Sequence, residues 1–565
     1  MEENEITLSE KEKMLKGLIF NKFDSELIKE NDLANKKCFE FNQTKPEEKE
    51  KRELILKSLI KIEENCKYLI TKHFYCEYGY NISIKNNFFS LFNLTLLDQN
   101  PISFGNNIFI GPNCTFCALI YPIEKINLRN NGFQYAKPIK IGNNVFFGSN
   151  ISVLPGINIG NNVIILDGSI ISKNIPDNSF VYGNPCRINF LGENFNNENN
   201  ILEIIKLIQN ENLNLCDEYN LNNNEEERKK FIKENFKLAL NEEFCIMERL
   251  NVLKGKNITI GENYYSNYNS VIIDISEIKI GNSTLIGPNL TITTMNFDEK
   301  YKLINLPVNI GNNVWTGGNV IIIGGISIGN NCVIGAGSLV NINIPDNCVV
   351  VGNPCKILRK FEIKKLNLNF DNNFKSEKEK MLNEEIHYSN DNELVNEREK
   401  SFLICHKFNY SNKENKKILF EGFFKNKKNP KNKGINIKSF FNCDYGYNIN
   451  FKDKFDSNIN LILLDICEIN FGNNCIIGPN CSFYCPYHPI EDIEGRDDDL
   501  EYGKKIFIGN NVLICGNCTF LPGVKIGNNC VIGYGSIVNK NIPDNSFAFG
   551  NPCKVKNIIA YFCFN

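Results

Sequence analysis

The sequence predicts a mainly β fold of three parallel β-helices, one in each of three tandem copies. Two observations predict it: landmark motifs recur at constant offsets along the 565 residues, and a period of six residues runs through each copy. Self-similarity at a fixed spacing indicates a repeat architecture, in which stacked units bury a continuous core. We therefore expect three prisms that associate with one another, with α-helical segments ahead of the first and third.

The first and third copies align without net insertion. The segment SEKEKML begins at Ser9 and again at Ser376, an offset of 367 residues, and YGYNI, GPNC and GNPC recur at the same offset. We assign residues 1–191 to copy one, with a β-helix over 74–191, and residues 366–565 to copy three, with a β-helix over 440–558.

A third copy lies between these two and is shorter. Gly255 follows Gly79 of copy one by 176 residues, but Gly352 follows its counterpart Gly183 by only 169. Copy two has therefore lost seven residues between these landmarks. We assign residues 192–365 to copy two, with a β-helix over 250–360.

The period of six predicts the local structure. From Ile508 to Ile537, copy three divides into IGNNVL, ICGNCT, FLPGVK, IGNNCV and IGYGSI, and an aliphatic residue opens most hexads. This spacing matches neither the 3.6-residue period of a helix nor the alternation of a half-buried strand. It fits short strands that turn a corner every six residues, with Asn and Gly at the left-handed corners.

Helical segments are predicted at 7–65 and 374–430. Ser9 with Glu12, and Ser376 with Glu379, form S-x-x-E capping boxes, which satisfy free backbone amides at a helix start. Residues 222–236 predict only a short helical segment in copy two.

Composition excludes several classes of partner. The formal net charge is −2, so we expect no binding to nucleic acid or to an anionic membrane surface. The first residues have no apolar signal region, and no apolar run approaches the ~18 residues that span a bilayer. We expect a cytoplasmic protein, in which the 22 cysteines are reduced and pack as small apolar side chains.

The ordered motifs resemble the maltose and galactoside O-acetyltransferases of the hexapeptide-repeat acyltransferase family. They include SEKEKML, CDYGYNI, IGPN, YHPI, IGNNV and LPGVKIGNNCVIGYGSIV. The resemblance implies a left-handed parallel β-helix that works as a trimer and binds acetyl-coenzyme A between adjacent prisms. Because three copies share one chain, we expect an intramolecular pseudo-trimer, and hence a monomer.

The resemblance also implies a catalytic base, the histidine of the HP pair that lies eight residues after GPN. In copy three this residue is His488, whereas copy one has Tyr121 and copy two has Phe297. A neutral imidazole is a suitable base at neutral pH, but a phenol with a pKa near ~10 is not. We expect one active site, centred on His488, with copies one and two inactive.

Further site residues are implied by their positions in the family motifs. Acceptor contacts are predicted at Asp444, Asn458 and Asp465 of copy three. Acetyl-coenzyme A would be a co-substrate, and no metal is expected. Its predicted contacts are Gly516, Tyr534, Lys540 and Lys554 of copy three, with Trp315, Ala336 and Arg359 of copy two. Leu513 of copy three departs from the family's tryptophan, and the neighbour that completes the groove is left open.

The sequence leaves two alternative functions open. The chain could be a non-catalytic scaffold, or an acetyltransferase for a non-sugar acceptor such as serine or a xenobiotic. A carbonic anhydrase of hexapeptide type would need three histidines at an interface, and the loops supply one.

Overall fold

The structure is a computed structural model, and it describes residues 8–45, 47–209, 211, 215–238, 244–366, 375–411, 415–416, 418–419, 423 and 434–557. Each copy forms a triangular prism of three sheets whose successive rungs pair in parallel, the pattern typical of left-handed hexapeptide β-helices. The predicted fold class is confirmed. No helix within the described ranges is both long enough and apolar enough to cross a lipid bilayer.

The three faces of each prism are named here by their position. The groove sheet and the loop sheet face the other prisms, and the outer sheet faces solvent. In prism one the groove sheet contains strands Tyr68–Ile70, Phe88–Ser90, Ile108–Ile110, Val145–Phe147, Val163–Ile165, Ser179–Tyr182 and Arg187–Phe190. The loop sheet contains Tyr75–Cys76, Thr95–Leu97, Thr115–Cys117, Ser152–Val153 and Ile170–Ile171, and the outer sheet Lys61–Ile62, Ile82–Ile84, Ile102–Phe104, Ile139–Ile141 and Asn158–Ile159.

Prism two repeats this arrangement. Its groove sheet contains Phe244–Ile246, Tyr264–Ser266, Leu285–Ile286, Trp315–Thr316, Val333–Ile334, Cys348–Val351 and Lys356–Lys360. Its loop sheet contains Asn251–Val252, Val271–Ile273, Thr291–Thr293, Ile321–Ile322 and Leu339–Val340. Its outer sheet contains Lys237–Leu238, Ile258–Ile260, Ile278–Ile280, Val308–Ile310 and Ser327–Ile328.

Prism three has the same three faces. Its groove sheet contains Ile435–Ile437, Phe455–Ser457, Cys475–Ile477, Leu513–Ile514, Val531–Ile532, Ser546–Phe549 and Lys554–Asn557. Its loop sheet contains Asn442–Cys443, Ile462–Leu464, Ser482–Tyr484, Thr519–Phe520 and Ile537–Val538. Its outer sheet contains Ile449–Phe451, Ile469–Phe471, Ile506–Ile508 and Lys525–Ile526.

Asparagines form the tight corners of the prisms. Asn144 and Asn162 have φ angles of 59° and 55°, the left-handed region that asparagine tolerates better than most residues. Their amides also stack, because Nδ2 of Asn144 donates to Oδ1 of Asn162 at 2.9 Å and Nδ2 of Asn162 donates to Asn178 at 3.1 Å. The Asn-rich composition is therefore structural.

The prism interiors are three separate apolar cores. The aliphatic residues at the first and fifth positions of the hexads point inward, as Ile508 at a first position and Val145 and Val512 at fifth positions illustrate with 0 to 4% exposure. Every cysteine that the structure describes is unpaired, and most are buried among these aliphatic side chains. A thiol of this kind packs as a small hydrophobic group.

Helices precede each prism, including prism two. They span Glu10–Leu15, Ser25–Gln43 and Lys49–Leu59 before prism one, Glu198–Gln209, Asp217–Leu221 and Glu225–Asn235 before prism two, and Glu377–Leu382 and Asn392–Asn409 before prism three. Both predicted capping boxes are present, at Ser9 and Ser376. The prediction for copy two was incomplete, because it missed the helix Glu198–Gln209. The apolar spacing of NILEIIKLIQ is the signal that could have revealed it.

The three prisms meet in a closed ring around a pseudo-threefold axis. Asparagine amides at the corners between groove and loop sheets donate across each boundary. The equivalent bonds run from Asn113 to Thr291 Oγ1 at 3.0 Å, from Asn289 to Ser482 Oγ at 3.0 Å and from Asn480 to Thr115 Oγ1 at 3.2 Å. Each prism therefore contacts both others, and the predicted intramolecular pseudo-trimer is confirmed.

One end of the axis is asymmetric. The equivalent residues there are His73, Arg249 and Phe440, one from each prism, and each has a positive φ of 61° to 65°. The Arg249 guanidinium lies 4.4 Å from the ring centroid of Phe440 and donates to Asn460 at 2.6 Å and to Asn93 at 3.1 Å. Burial lowers the pKa of Arg249 to about 10. Because the three contacts differ, the prisms are not interchangeable.

A long loop leaves the loop sheet of prisms one and three after its third strand. In prism three the loop contains strands Pro486–Tyr487 and Leu500–Gly503 and helix Ile493–Asp497, and it pairs with His387–Tyr388. In prism one the equivalents are Leu119–Ile120, Phe133–Ala136, Ile126–Asn130 and Phe20–Asn21. Prism two has only the antiparallel hairpin of Met295–Phe297 and Leu303–Asn305. This hairpin is the structural result of the seven-residue loss.

Candidate active site

The ring of prisms creates three inter-prism grooves, each formed by the groove sheet of one prism and the loop of the next. Groove A lies between prisms one and two, where Phe146 meets Phe297 with ring centroids 5.0 Å apart. Groove B lies between prisms two and three, and groove C lies between prisms three and one. In groove C, Tyr121 packs against Leu513.

His488 lies in groove B, against the chain's single tryptophan. The imidazole of His488 and the indole of Trp315 meet edge to face, with centroids 5.4 Å apart and an interplanar angle of 87°. Ile490, two residues after the histidine, packs in the same cluster as Trp315 and Val333. Copy two is therefore the neighbour that completes this groove, a point that the sequence left open.

One nitrogen of the His488 ring is oriented by the backbone. Nδ1 lies 3.1 Å from the carbonyl oxygen of Leu500. Since a carbonyl oxygen can only accept, Nδ1 carries the proton, and the lone pair of the neutral ring lies on Nε2. His488 is half-buried, so Nε2 is available to accept a proton from a molecule in the groove.

The strand that provides this carbonyl is supported by the helical segment of copy three. Leu500 pairs with Tyr388, and Glu501 pairs with His387. The His387 Nε2 and Glu501 Oε1 atoms are 3.3 Å apart. Burial by itself would raise the pKa of Glu501, but the His387 and His488 rings outweigh it and hold this pKa below its usual range. The strand that orients the His488 ring is therefore held by a buried contact between His387 and Glu501.

Asp444 lies at the same boundary. Burial, followed by the nearby Asp465 carboxylate, raises the pKa of Asp444 well above its usual value. Its charge also contributes to the raised pKa values of Tyr265 and Tyr268 in prism two, where burial is the main cause. In the described part of the chain, no side chain donates a hydrogen bond to the Asp444 carboxylate. It can therefore accept hydrogen bonds from a ligand.

Asp465 is completely buried behind this loop. Its carboxylate accepts from the backbone amides of Asp444, Tyr445 and Gly446 at 3.1, 2.9 and 2.8 Å. Asp98 accepts from the equivalent amides of prism one, and Asp274 accepts from the amide of Lys254 in prism two. The same carboxylate occurs in all three prisms, which points to a structural device that orders the turn.

Asn458 is not in the groove of His488. The next residue, Ile459, packs in groove C among Tyr75, Cys117 and other residues of prism one. The equivalent asparagine of prism two is Asn267, and its neighbour Tyr268 packs in groove B against Tyr484 of prism three. The structure therefore brings Asn267 to the His488 groove, whereas Asn458 and Asp444 lie in different grooves.

The predicted contacts for acetyl-coenzyme A also divide between two grooves. Trp315 and Ala336 belong to the groove sheet side of prism two and so face groove B. Arg359 pairs with Glu491 of the His488 loop at 2.8 Å, at the exposed edge of the same groove. Gly516 and Tyr534 are on the corresponding side of prism three, and Tyr534 packs in groove C.

The two predicted lysines are exposed at the C-terminal end of prism three. Lys540 follows strand Ile537–Val538, and Lys554 begins strand Lys554–Asn557. In the ranges that the structure describes, neither lysine has an ion-pair partner. They remain predictions as phosphate contacts.

Two ion pairs cross groove C between prisms one and three. Lys22 of prism one pairs with Asp456 of prism three at 2.6 Å, and Lys438 pairs with Glu77 at 3.2 Å. Burial raises the pKa of the Tyr121 phenol well above its usual value, so it is an even poorer base than a free tyrosine. Groove C therefore differs from groove B both in the residue at the histidine position, Tyr121, and in the ion pairs that cross it.

One charged residue near Asp444 was missed in the sequence. Arg398, on helix Asn392–Asn409, donates to the Tyr445 hydroxyl at 2.8 Å and to the Ser389 carbonyl at 2.6 Å. Its positive charge opposes the rise in the pKa of Asp444. The sequence does not distinguish Arg398 from the other charged residues of its helix, because only the fold brings it close to Asp444.

Family models match several parts of the chain. The maltose acetyltransferase hexapeptide capping motif matches residues 13–61 and 380–427. The bacterial transferase hexapeptide model, which covers six repeats, matches residues 307–341 and 505–540, and the hexapeptide repeat of succinyl-transferase matches 138–173.

Individual proteins are similar to one copy at a time. A protein of Saccharomyces cerevisiae is 47% identical over 119 residues, which is 21% of this chain and 60% of that protein. The galactoside O-acetyltransferase of Lactococcus lactis is 38% identical over 177 residues, 31% of this chain and 84% of the relative. A solved galactoside acetyltransferase in complex with coenzyme A is 36% identical, covering 32% of this chain and 90% of that structure, with a TM-score of 0.31.

Proposed function

This chain belongs to the maltose and galactoside O-acetyltransferases, acetyl-coenzyme A-dependent enzymes built from hexapeptide repeats, and we propose that it acetylates a hydroxyl of a sugar in one active site, groove B. His488 is the proposed catalytic base. Asp444 and Asn267 are the proposed acceptor contacts, one from copy three and one from copy two.

The single observation that supports this assignment most strongly is the contact between His488 and Trp315. The imidazole and the indole come from different copies, 173 residues apart in the sequence. Groove A has Phe297 and Phe146 at these positions, and groove C has Tyr121 and Leu513. Groove B is the one that combines a base with the family's tryptophan.

The residues of groove B fit acetyl-coenzyme A better than those of the other two grooves. The small side chain of Ala336 leaves space where groove C has Tyr534 and groove A has Asp167. Trp315 offers a flat apolar surface, and Arg359 offers a cation at the groove edge. We assign the thioester to this side of the groove and the acceptor to the side of Asp444.

The chemistry follows from the ring orientation of His488. Nε2 takes the proton of the acceptor hydroxyl as that oxygen attacks the acetyl carbon. The carbon–sulfur bond then breaks, and His488 returns the proton to the departing sulfur. The Leu500 carbonyl, which accepts from Nδ1, stabilises the positive charge on the ring between these steps.

Asp465 has a supporting role in this proposal. Its carboxylate is buried and engaged with backbone amides, so it orders the Asp444 turn instead of contacting the sugar directly. This role revises the one suggested by the sequence.

The test is turnover of acetyl-coenzyme A with galactosides, glucosides, maltose, serine and chloramphenicol as acceptors. His488→Ala should lower kcat by about 100-fold or more on the preferred acceptor, the usual contribution of general base catalysis. Tyr121→Ala, the matched change in groove C, should leave kcat unchanged.

The alternatives predict different results. If wild type acetylates none of these acceptors above background, the scaffold hypothesis is favoured. If serine or chloramphenicol is the preferred acceptor, the active site stands but the sugar assignment is wrong. Equal activity of wild type and His488→Ala contradicts the proposed base.

A further inference from the structure

Groove A contains a cavity of about 330 Å³ at the boundary of prisms one and two. This volume lies within the range of small-molecule sites, which is about 300 to 1,000 Å³. The short hairpin of copy two and the groove sheet of copy one form its walls. In groove A, the loop of copy two is seven residues shorter, and Phe297 occupies the position that His488 has in copy three.

Aromatic rings form much of the cavity wall. Phe146 and Phe180 come from prism one, and Phe297 and Tyr301 come from the hairpin of prism two. Ring centroids are 5.0 Å apart both between Phe146 and Phe297 and between Phe180 and Tyr301. The rings therefore pair across the boundary, edge to face between Phe146 and Phe297 and tilted by 54° between Phe180 and Tyr301.

Helix Glu198–Gln209 holds this arrangement in place. Asn200 on the helix donates to the Tyr301 carbonyl at 2.9 Å and accepts from the Leu303 amide at 3.0 Å. Phe195, just before the helix, packs against the Tyr301 ring at 6.3 Å. The hairpin is therefore anchored in the absence of the longer loop, and the cavity is built by specific contacts.

The charges that line the cavity are acidic. Asp167 and Asp298 both contribute to its wall, and no lysine, arginine or histidine does so among the described residues. One oxygen of Asp167 accepts from the Ser149 amide at 2.7 Å, and one oxygen of Asp298 accepts from the amides of Lys300 and Lys302 at 2.9 Å. Within the described chain, neither carboxylate has an ion-pair partner.

Asp167 distinguishes groove A from the proposed active site. It occupies the position of Ala336 in groove B, so a carboxylate stands where the thioester side of groove B is small and neutral. A carboxylate at this point repels the phosphates of a nucleotide and occupies space. Groove A is therefore unsuited to acetyl-coenzyme A, although it keeps a cavity of ligand size.

We propose that groove A binds a small organic cation, a ligand with an ammonium head, between the aromatic rings and the Asp167 carboxylate. Aromatic faces attract cations through the negative charge of their π systems, and the attraction strengthens when water is excluded. Asp167 and Asp298 supply the compensating charge. In this proposal copy two lost catalysis and acquired a second binding site.

The experiment compares choline with 3,3-dimethyl-1-butanol, its uncharged isostere, by isothermal titration calorimetry on the full chain. Choline should bind at least about tenfold more tightly. Equal affinity for choline and for the alcohol would show that the cavity recognises the shape of the ligand and not its charge, which would overturn the proposal. Absence of binding by both choline and tetramethylammonium would overturn it as well.

Two variants locate the site. Asp167→Asn keeps the oxygen that accepts from Ser149 but removes the charge, and it should weaken choline binding about tenfold or more. Phe180→Leu keeps apolar bulk but removes one aromatic face, and it should weaken choline more than it weakens the alcohol. Trp315→Leu changes groove B and should leave choline affinity unaltered. Loss of choline binding in this variant would show that choline binds in groove B and would contradict the proposal.

Folding is checked in the absence of ligand. Each variant should retain the thermal unfolding profile and circular dichroism spectrum of wild type. Choline should raise the unfolding temperature of wild type by an amount that increases with the logarithm of its concentration above the dissociation constant. If Asp167→Asn is folded and binds choline as well as wild type does, the proposal is wrong.

Discussion

Asn267 and Asn458 occupy the same position of the repeat, yet only Asn267 lies in the groove that contains His488. Both side chains accept from the backbone amide of the next residue, at 2.7 and 2.8 Å, so their local conformations are alike. They differ in the prism that faces them. The candidate site is therefore built from the groove sheet of copy two and the loop of copy three.

This relationship predicts unequal effects from two identical substitutions. Asn267→Ala should lower kcat/KM for the acceptor about fivefold, because a hydrogen bond to a sugar hydroxyl is worth roughly 1 kcal/mol. Asn458→Ala should change it less than twofold. Steady-state kinetics with the preferred acceptor provide the measurement, and a larger effect at Asn458 would place the acceptor in groove C.

The sequence predicted the prisms, and singled out His488 as the candidate base, because both rest on local properties. A six-residue period is visible within any one copy, and His488 is fixed by its distance from GPN. The pairing of copies is not local, since it depends on the direction in which the ring closes. For this reason Asn458 was grouped with His488, although the structure supplies Asn267 and Trp315 from the neighbouring copy.

Trp315 predicts a spectroscopic signal for the co-substrate. It is the only tryptophan in the chain, so intrinsic tryptophan fluorescence reports on groove B alone. Coenzyme A should change this emission in a saturable way. The signal should be retained in Asn458→Ala, whose substitution lies in groove C, and a titration without any change in emission would argue against binding beside Trp315.

Replacing the indole should weaken acetyl-coenzyme A specifically. Trp315→Leu introduces the residue that prism three has at this position, and it should raise the KM for acetyl-coenzyme A about tenfold through lost apolar contact. Leu513→Ala, the matched change in groove C, should leave this KM within twofold. Initial rates at varied acetyl-coenzyme A measure both, and a greater effect at Leu513 would contradict the assignment.

The buried aspartates predict a separation of stability from activity. Asp465→Ala and Asp98→Ala each leave several backbone amides without an acceptor, and each should lower the free energy of unfolding by about 1 to 3 kcal/mol. Only Asp465→Ala should also lower kcat/KM, because its turn holds Asp444. Urea unfolding and steady-state kinetics test the pair, and equal loss of activity in both would indicate a general effect on the fold.

The role of Asp465 illustrates what a motif cannot specify. An acidic residue a few positions after a binding motif could face either the ligand or the backbone, and the sequence is the same in both cases. Burial decides between them, and burial depends on the stacking of whole rungs. The occurrence of Asp98 and Asp274 in copies without the histidine was the available signal, because a purely catalytic carboxylate has no reason to persist there.

The same aspartates predict how stability depends on pH. Burial raises the pKa of Asp98 to about 7, from an ordinary value of 3.8, and raises that of Asp274 to about 6. The folded chain therefore binds a proton at Asp98 over a pH range in which the unfolded chain has lost it, so this group's contribution to stability falls as pH rises from about 4 to 7 and is constant above. Relative to Asp98→Asn, wild type should lose free energy of unfolding by at most about 1.4 kcal/mol per pH unit across that range. Relative to Asp274→Asn, the loss should level off about one pH unit lower. Urea unfolding from pH 5 to 8 measures both differences, and a difference that does not change with pH would mean that these carboxylates are already charged in the folded protein at pH 5.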